Sequence, residues 1–235
     1  MKAALGFAVL MLVCQDAALG QDERRVLSPD GRLEFRIFIT TPEDSQLSRL
    51  AYQVRAGVEK LVDTSLLGFD LLEQEPLLGE NIALMSSESS SGPGYKALVL
   101  HYMQNGSLGR YLDVEARVYN RGVAFRFTIP PSTPVTRLLI AQEATEFAVR
   151  HDPSVPLRVP FESERVTVAE VPVVGFPAMR LESRDAGAYA VVRLSGTTSL
   201  PGVVFDGKPP MTGPWRVVLT GPKPRAVADL AGLGK

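Results

Sequence analysis

The sequence predicts an all-β antiparallel fold, a sandwich or a barrel, on three observations. Residues 112–129 (LDVEARVYNRGVAFRFTI) alternate apolar and polar side chains twice, about a break at Asn120-Arg121-Gly122. Short runs of the same kind recur along the chain, separated by Gly, Pro, Asp and Ser. No window carries the apolar spacing of an ordinary amphipathic helix. Strand side chains point to opposite faces with period two, so each alternating run buries one face and wets the other. Many short strands joined by turn signals indicate a sandwich or a barrel.

The elements follow in order. Residues 1–20 read as a signal peptide: Lys2 is the positive start, Ala3 to Cys14 the apolar run, and Ala18-Leu19-Gly20 a small-residue cleavage site before Gln21. That run is too short to span a bilayer, so no membrane span is expected. Cys14 hints at lipoprotein processing, but Val13 is bulky for it, and plain cleavage between Gly20 and Gln21 ranks higher. Removing 20 of 235 residues leaves 215, enough for one large all-β domain over 21–225 with a tail over 226–235. Cys14 is the only cysteine, so the exported chain has no disulfide and its stability must come from packing.

Within the domain, Asp30-Gly31 signals a turn before an alternating strand at Leu33–Ile39. Leu50–Val54 and Val58–Val62 flank Gly57 as a hairpin, and Thr64–Leu72 reads as a strand broken at Gly68. Glu73–Gly94 is polar and reads as loop, most of all the Ser-rich stretch 86–94. Lys96–Met103 and Gly109–Tyr119 flank Asn105-Gly106. The turn before Val123–Ile129 is expected to place Gly122 at positive φ. Further strands are expected at 135–140, 146–150, 165–168, 173–181, 189–194 and 215–219, with a helical turn or two over 226–233.

Few residues carry chemistry by spacing. His101 and His151 each lack the neighbours that metal sites favour, and read as ordinary surface or satisfied core histidines. There is no G-x-S-x-G elbow, and residues 92–96 (GPGYK) lack phosphate-loop spacing. Glu143, Glu146, Glu162, Glu164 and Glu170 could include a glycosidase-type pair, yet alternation explains them as wet strand faces. No catalytic or metal residue is therefore assigned. Arg126, Tyr189 and Trp215 are the candidate ligand-binding residues, since an arginine and two aromatics suit a sugar. Asn105-Gly106-Ser107 is a glycosylation sequon. A net charge of −1 gives no electrostatic case for nucleic acid.

Four pieces in order resemble the N-terminal domain of glycoside hydrolase family 97. Residues 123–130 (VAFRFTIP) after the acidic strand are similar to that family's hairpin. Residues 27–31 (LSPDG) resemble its first strand, 64–68 (TSLLG) an inner element, and 213–219 (GPWRVVL) its closing strand. The resemblance implies a mutarotase-like super-sandwich over about residues 26–225 that packs against a catalytic (β/α)8 barrel. The barrel's acid and its nucleophile or base are then expected outside this chain, which ends at Lys235. The family also implies a calcium-binding glutamate from a strand like Tyr189–Leu194. Arg193 falls at that place here, and a cation would repel the metal, so no cofactor is expected.

The function expected is that of a secreted or periplasmic, non-catalytic β-sandwich that binds carbohydrate or a glycosidase barrel. The alternatives are a truncated or split family 97 glycosidase, a mutarotase-like enzyme, or a structural fragment without ligand.

Overall fold

The computed structural model describes residues 21–106 and 109–233. Gly20 and Ser107, named above for cleavage and glycosylation, lie outside the described residues. The strands are β1 (Gln21–Leu27), β2 (Leu33–Thr40), β3 (Arg49–Ala56), β4 (Glu59–Leu66), β5 (Phe69–Leu71), β6 (Ile82–Gly92), β7 (Tyr95–Gln104), β8 (Tyr111–Tyr119) and β9 (Gly122–Ile129). After them come β10 (Leu138–Glu143), β11 (Glu146–Phe147), β12 (Phe161–Glu162), β13 (Val166–Val171), β14 (Ala178–Arg184), β15 (Tyr189–Ser195), β16 (Phe205–Gly207), β17 (Met211–Thr212) and β18 (Trp215–Thr220). Among the described residues the one helical element is a 3-10 turn at Val227–Asp229.

One layer is an eight-stranded antiparallel sheet in the order β12-β13-β18-β9-β8-β7-β6, with β17 also paired to β9. Facing it are the meander β1-β2-β3-β4 and the three-stranded groups β16-β10-β5 and β11-β15-β14. Inward side chains of both layers merge into one core. Leu112, Val114, Ala116 and Val118 of β8 and Val123, Phe125 and Phe127 of β9 meet Phe35, Ile37, Tyr52 and Phe147 there. Phe125 lies 5.8 Å from Phe35 and 4.9 Å from Tyr52 between ring centroids, so aromatic packing joins the layers. Tyr52 donates its hydroxyl to the Glu146 carbonyl at 2.8 Å, which satisfies a group that would be costly to bury alone.

Three expectations are corrected. The loop expected within 73–94 contains β6, paired along its length with β7 from Ile82–Gln104 to Gly92–Tyr95. It is the sheet's outermost strand and largely exposed, so its serines need bury nothing and backbone pairing alone holds them. The strand expected from Val173 begins only at Ala178, because Val173–Phe176 closes a turn. Gly122 is an extended strand residue without positive φ. Its need for glycine is spatial: a Cβ there would stand 2.7 Å from the Val218 carbonyl oxygen of β18.

Residues 226–233 lie on the sheet's outer face, where Leu230 and Leu233 join Tyr119, Ala124, Trp215, Val217 and Leu219 in a second apolar cluster. Arg225, just before them, is buried and donates to Thr167 Oγ1 and to the Ser163 carbonyl.

Candidate functional site

Two of the three candidate residues meet on the outer face of the large sheet. Register places Glu115 of β8 opposite Arg126 of β9, and Arg216 of β18 opposite Phe125, so Trp215 falls beside Arg126. The Arg126 guanidinium lies 4.3 Å from the Trp215 ring centroid. Arg117 lies over the same ring at 4.6 Å and over Tyr95 at 4.9 Å. Glu115 fixes both cations: Arg126 donates to one carboxylate oxygen at 2.7 and 2.9 Å, and Arg117 to the other at 2.9 Å. Burial works against the Arg117 charge, but the hydrogen bond and charge of Glu115 outweigh it and raise the pKa. Tyr119 donates to the Ala231 carbonyl at 3.1 Å, which ties the C-terminal segment to the same face. Trp215 keeps only 5% of its surface exposed, so its ring is capped rather than open to a ligand.

One residue along β18, Arg216 points to the opposite face, into the core. It is bidentate to Glu143 of β10, with Nε donating at 2.9 Å, and it also pairs with Glu170 of β13. Glu170 in turn accepts the Met179 backbone N–H at 3.1 Å. The ion triad therefore bridges the two layers. Glu146, also buried, accepts from Arg184 at 2.7 Å and from the Leu66 N–H at 3.2 Å. Glu143, Glu146 and Glu170 are thus not on wet strand faces, as alternation suggested. Each sits inside because a specific arginine or amide compensates its charge, which is how buried carboxylates persist.

Tyr189 stands apart from the other two, on β15, in a cleft of about 1610 Å³ shared with His151, Phe161, Lys60 and Asp63. Arg184 lies over its ring at 4.8 Å. His151 has both nitrogens engaged, Nδ1 by the Val149 carbonyl and Nε2 by Ser183 Oγ, each at 2.9 Å. Two of the acids lining the cleft, Asp63 and Asp152, are shifted away from proton donation. Burial pushes the Asp63 pKa up, but Lys60 and the Thr64 N–H outweigh that and leave it below the usual value. The Ser154 hydroxyl and N–H likewise lower Asp152. A glycosidase's acid needs its pKa raised instead.

His101, read as solitary, pairs with Asp113 at 2.9 Å across β7 and β8. Arg193 sits on β15 directly opposite Arg180 of β14 and holds Glu182 at 3.0 Å. Two guanidiniums around one engaged carboxylate are not a donor set for calcium, which takes six to eight oxygens. Among the described residues no three His, Cys, Asp or Glu side chains cluster as a metal site. No helix of the described chain is long and apolar enough to cross a membrane.

Sequence reasoning missed the Glu143–Arg216–Glu170 triad and the Glu115 clamp. Their one signal was a charge at an inward position, Arg216 between Trp215 and Val217, in an otherwise apolar strand.

Comparison with known proteins matches the fold. Residues 26–157 fit the family model of the glycosyl-hydrolase 97 N-terminal domain. A retaining alpha-galactosidase of Bacteroides thetaiotaomicron is 29% identical over 132 residues, covering 52% of this chain and 19% of that enzyme. A Glycoside Hydrolase Family 97 enzyme from Pseudoalteromonas sp. strain K8 superposes with a TM-score of 0.67 at 19% identity, covering 84% of this chain and 35% of its own. A beta-arabinopyranosidase superposes with a TM-score of 0.66 at 18% identity, over 86% of this chain and 40% of its own. The chain thus spans a fifth to two fifths of the length of these enzymes. It belongs to the glycosyl-hydrolase 97 N-terminal family.

Proposed function

We propose that this chain is an exported, non-catalytic β-sandwich, in the periplasm or outside the cell, that supports a family 97 catalytic barrel by docking it on the outer face of its large sheet. The observation that carries the reading is the state of Trp215. Its ring is covered by Arg117 and Arg126, and both cations are held by Glu115, so the face is rigid before any partner arrives. Tyrosine and arginine are enriched at protein interfaces, and Tyr95, Arg117 and Arg126 are the parts of this face left partly exposed. A sugar would first have to displace two anchored guanidiniums to stack on that indole. The lowered Asp63 and Asp152 support a non-catalytic role, and so does the engagement of Glu143, Glu146 and Glu170 by arginines.

The test is association. The chain, tagged and expressed in its source cells, should recover a protein bearing a family 97 barrel, identified by mass spectrometry. Arg126→Ala with Arg117→Ala should weaken that capture while circular dichroism stays unchanged. Recovery of no barrel, or capture indifferent to both substitutions, would sink the reading. The chain alone should not hydrolyse aryl α-glucosides or α-galactosides.

A further inference from the structure

We propose a second site, on a different sheet from the docking face and independent of it: a binding surface for polyanionic oligosaccharides built from Arg150, Arg158 and Arg180. Among the described residues, every other arginine has a carboxylate or carbonyl partner. The exposed pairs are Arg25–Glu34, Arg137–Asp206 and Arg165–Glu59, and even Arg24 donates to the Glu23 carbonyl. Arg150, Arg158 and Arg180 are exposed and have no such partner among the described residues. They line two depressions that share residues. Arg150 and Arg158 line the cleft of about 1610 Å³. Arg158 and Arg180 line an adjoining groove of about 350 Å³ along β14. Leu157 and Arg158 belong to both, so the two depressions adjoin.

The strand pairing concentrates this charge. Arg180 lies directly opposite Arg193, and like charges across an antiparallel pair repel. Glu182, which lines the same groove, engages Arg193 at 3.0 Å rather than Arg180. The cleft is also lined by Asp63, Asp152, Glu162 and Glu164, of which Asp63 is paired with Lys60 and Glu162 with Lys223, so the arginines must outcompete Asp152 and Glu164 for the ligand. Guanidinium binds carboxylate and sulfate oxygens in a bidentate fork, so the ligand chemistry is an oxyanion.

The cleft walls indicate what carries that oxyanion. Tyr189, with one ring face under Arg184, and the edge of the buried Phe161 line the cleft beside Ser163, Thr64 and Lys60, a mixture of apolar and polar groups suited to a pyranose. Cations spread over two adjoining depressions fit a repeating acid rather than one isolated phosphate. The ligand class is therefore an oligosaccharide bearing carboxylate or sulfate groups.

The test is binding by the mature chain, residues 21–235, in low-salt buffer with calorimetry. The probes are polygalacturonate, dextran sulfate, neutral dextran and polyglutamate. Either acidic polysaccharide should bind, neutral dextran should not, and the tighter of the two acids identifies carboxylate or sulfate as the group read. Arg158→Ala with Arg180→Ala should weaken binding at least about tenfold, a loss of roughly 1.4 kcal/mol. Arg24→Ala, a surface cation removed elsewhere, should change nothing. Thermal melts of each variant check that the exposed substitutions leave the fold intact. No binding of either acidic polysaccharide would overturn the proposal, as would equal binding of neutral dextran. So would affinity unchanged in the double variant. Polyglutamate bound as tightly as the sugars would overturn it too, by showing an acidic-peptide site. Because docking is read by barrel capture and this site by sugar calorimetry, either can fail alone.

Discussion

Arg126 and Trp215, residues 89 positions apart in the chain, stack with guanidinium carbon and indole centroid 4.3 Å apart on the outside of the large sheet. Trp215 is the single tryptophan, so its fluorescence reports this stack directly. Trp215→Ala should cost roughly 3–5 kcal/mol in urea unfolding, the usual loss for a buried aromatic. Glu115→Gln, which frees both cations while keeping the ring, should cost only about 1–2 kcal/mol. It should also raise acrylamide quenching of the tryptophan. A quenching constant unchanged in Glu115→Gln would mean that Glu115 does not hold the cover.

Arg216→Met should be more damaging than its size suggests. It leaves Glu143 and Glu170 in the core without their cation, and breaking a buried pair this way costs about 3–5 kcal/mol. Adding Glu143→Gln and Glu170→Leu to Arg216→Met should recover much of that loss, since no uncompensated charge then stays inside. Chemical denaturation of the single and triple variants checks the order. A triple variant less stable than the single one would contradict the account.

Two glycines separate two kinds of constraint. Gly57 sits at φ +59° with nothing within 4 Å of a built Cβ. Gly57→Ala should cost about 1 kcal/mol and Gly57→Asn less, because asparagine tolerates that backbone region. At Gly122 the obstacle is the Val218 carbonyl, so Ala and Asn should both cost about 1–3 kcal/mol by overpacking. Amide exchange across the β9–β18 pair should rise in both Gly122 variants and in neither Gly57 variant.

Asp63 provides the pH test. Its folded pKa is depressed below the usual 3.8, so its contribution is present above that value and is lost as pH falls through the folded pKa. Asp63→Asn should therefore be less stable than the parent near neutral pH, by no more than about 1 kcal/mol for so exposed a group. The difference should close below about pH 4. Melting temperatures across pH 2–7 for both proteins decide it, and a gap that widened in acid would refute it.

Truncation after Arg225 removes Leu230 and Leu233 from the outer cluster. The shortened chain should melt earlier and show a red-shifted Trp215 emission. Emission identical to the full chain would place the tail's contribution away from the tryptophan.

The β8–β9 hairpin was legible because both strands have one dry and one wet face, which writes period two into the sequence. β6 was not, since an exposed edge strand needs only backbone partners and its serines resemble a loop. Trp215 and Arg126 could be singled out as residues but not as neighbours, because their proximity depends on the long-range pairing of β9 with β18. The internal carboxylates were misplaced for the same reason. Whether a glutamate on a strand faces water or a buried arginine depends on the opposing layer, and Glu143 and Arg216 belong to different layers. Three arginines without partners were invisible for want of the pairings that satisfy the rest.

The adjacency of Trp215 and Arg216 has a consequence for assembly. A strand that slips by one residue exchanges its two faces. Slipping β18 in this way would push the indole into the space between Glu143 and Glu170 and strand their cation among the aromatics outside. Here two consecutive residues check the alignment, one by shape and one by charge, on opposite sides of the same wall. A slip of one residue along the closing strand therefore forfeits both at once, the aromatic stack on one side and the ion triad on the other.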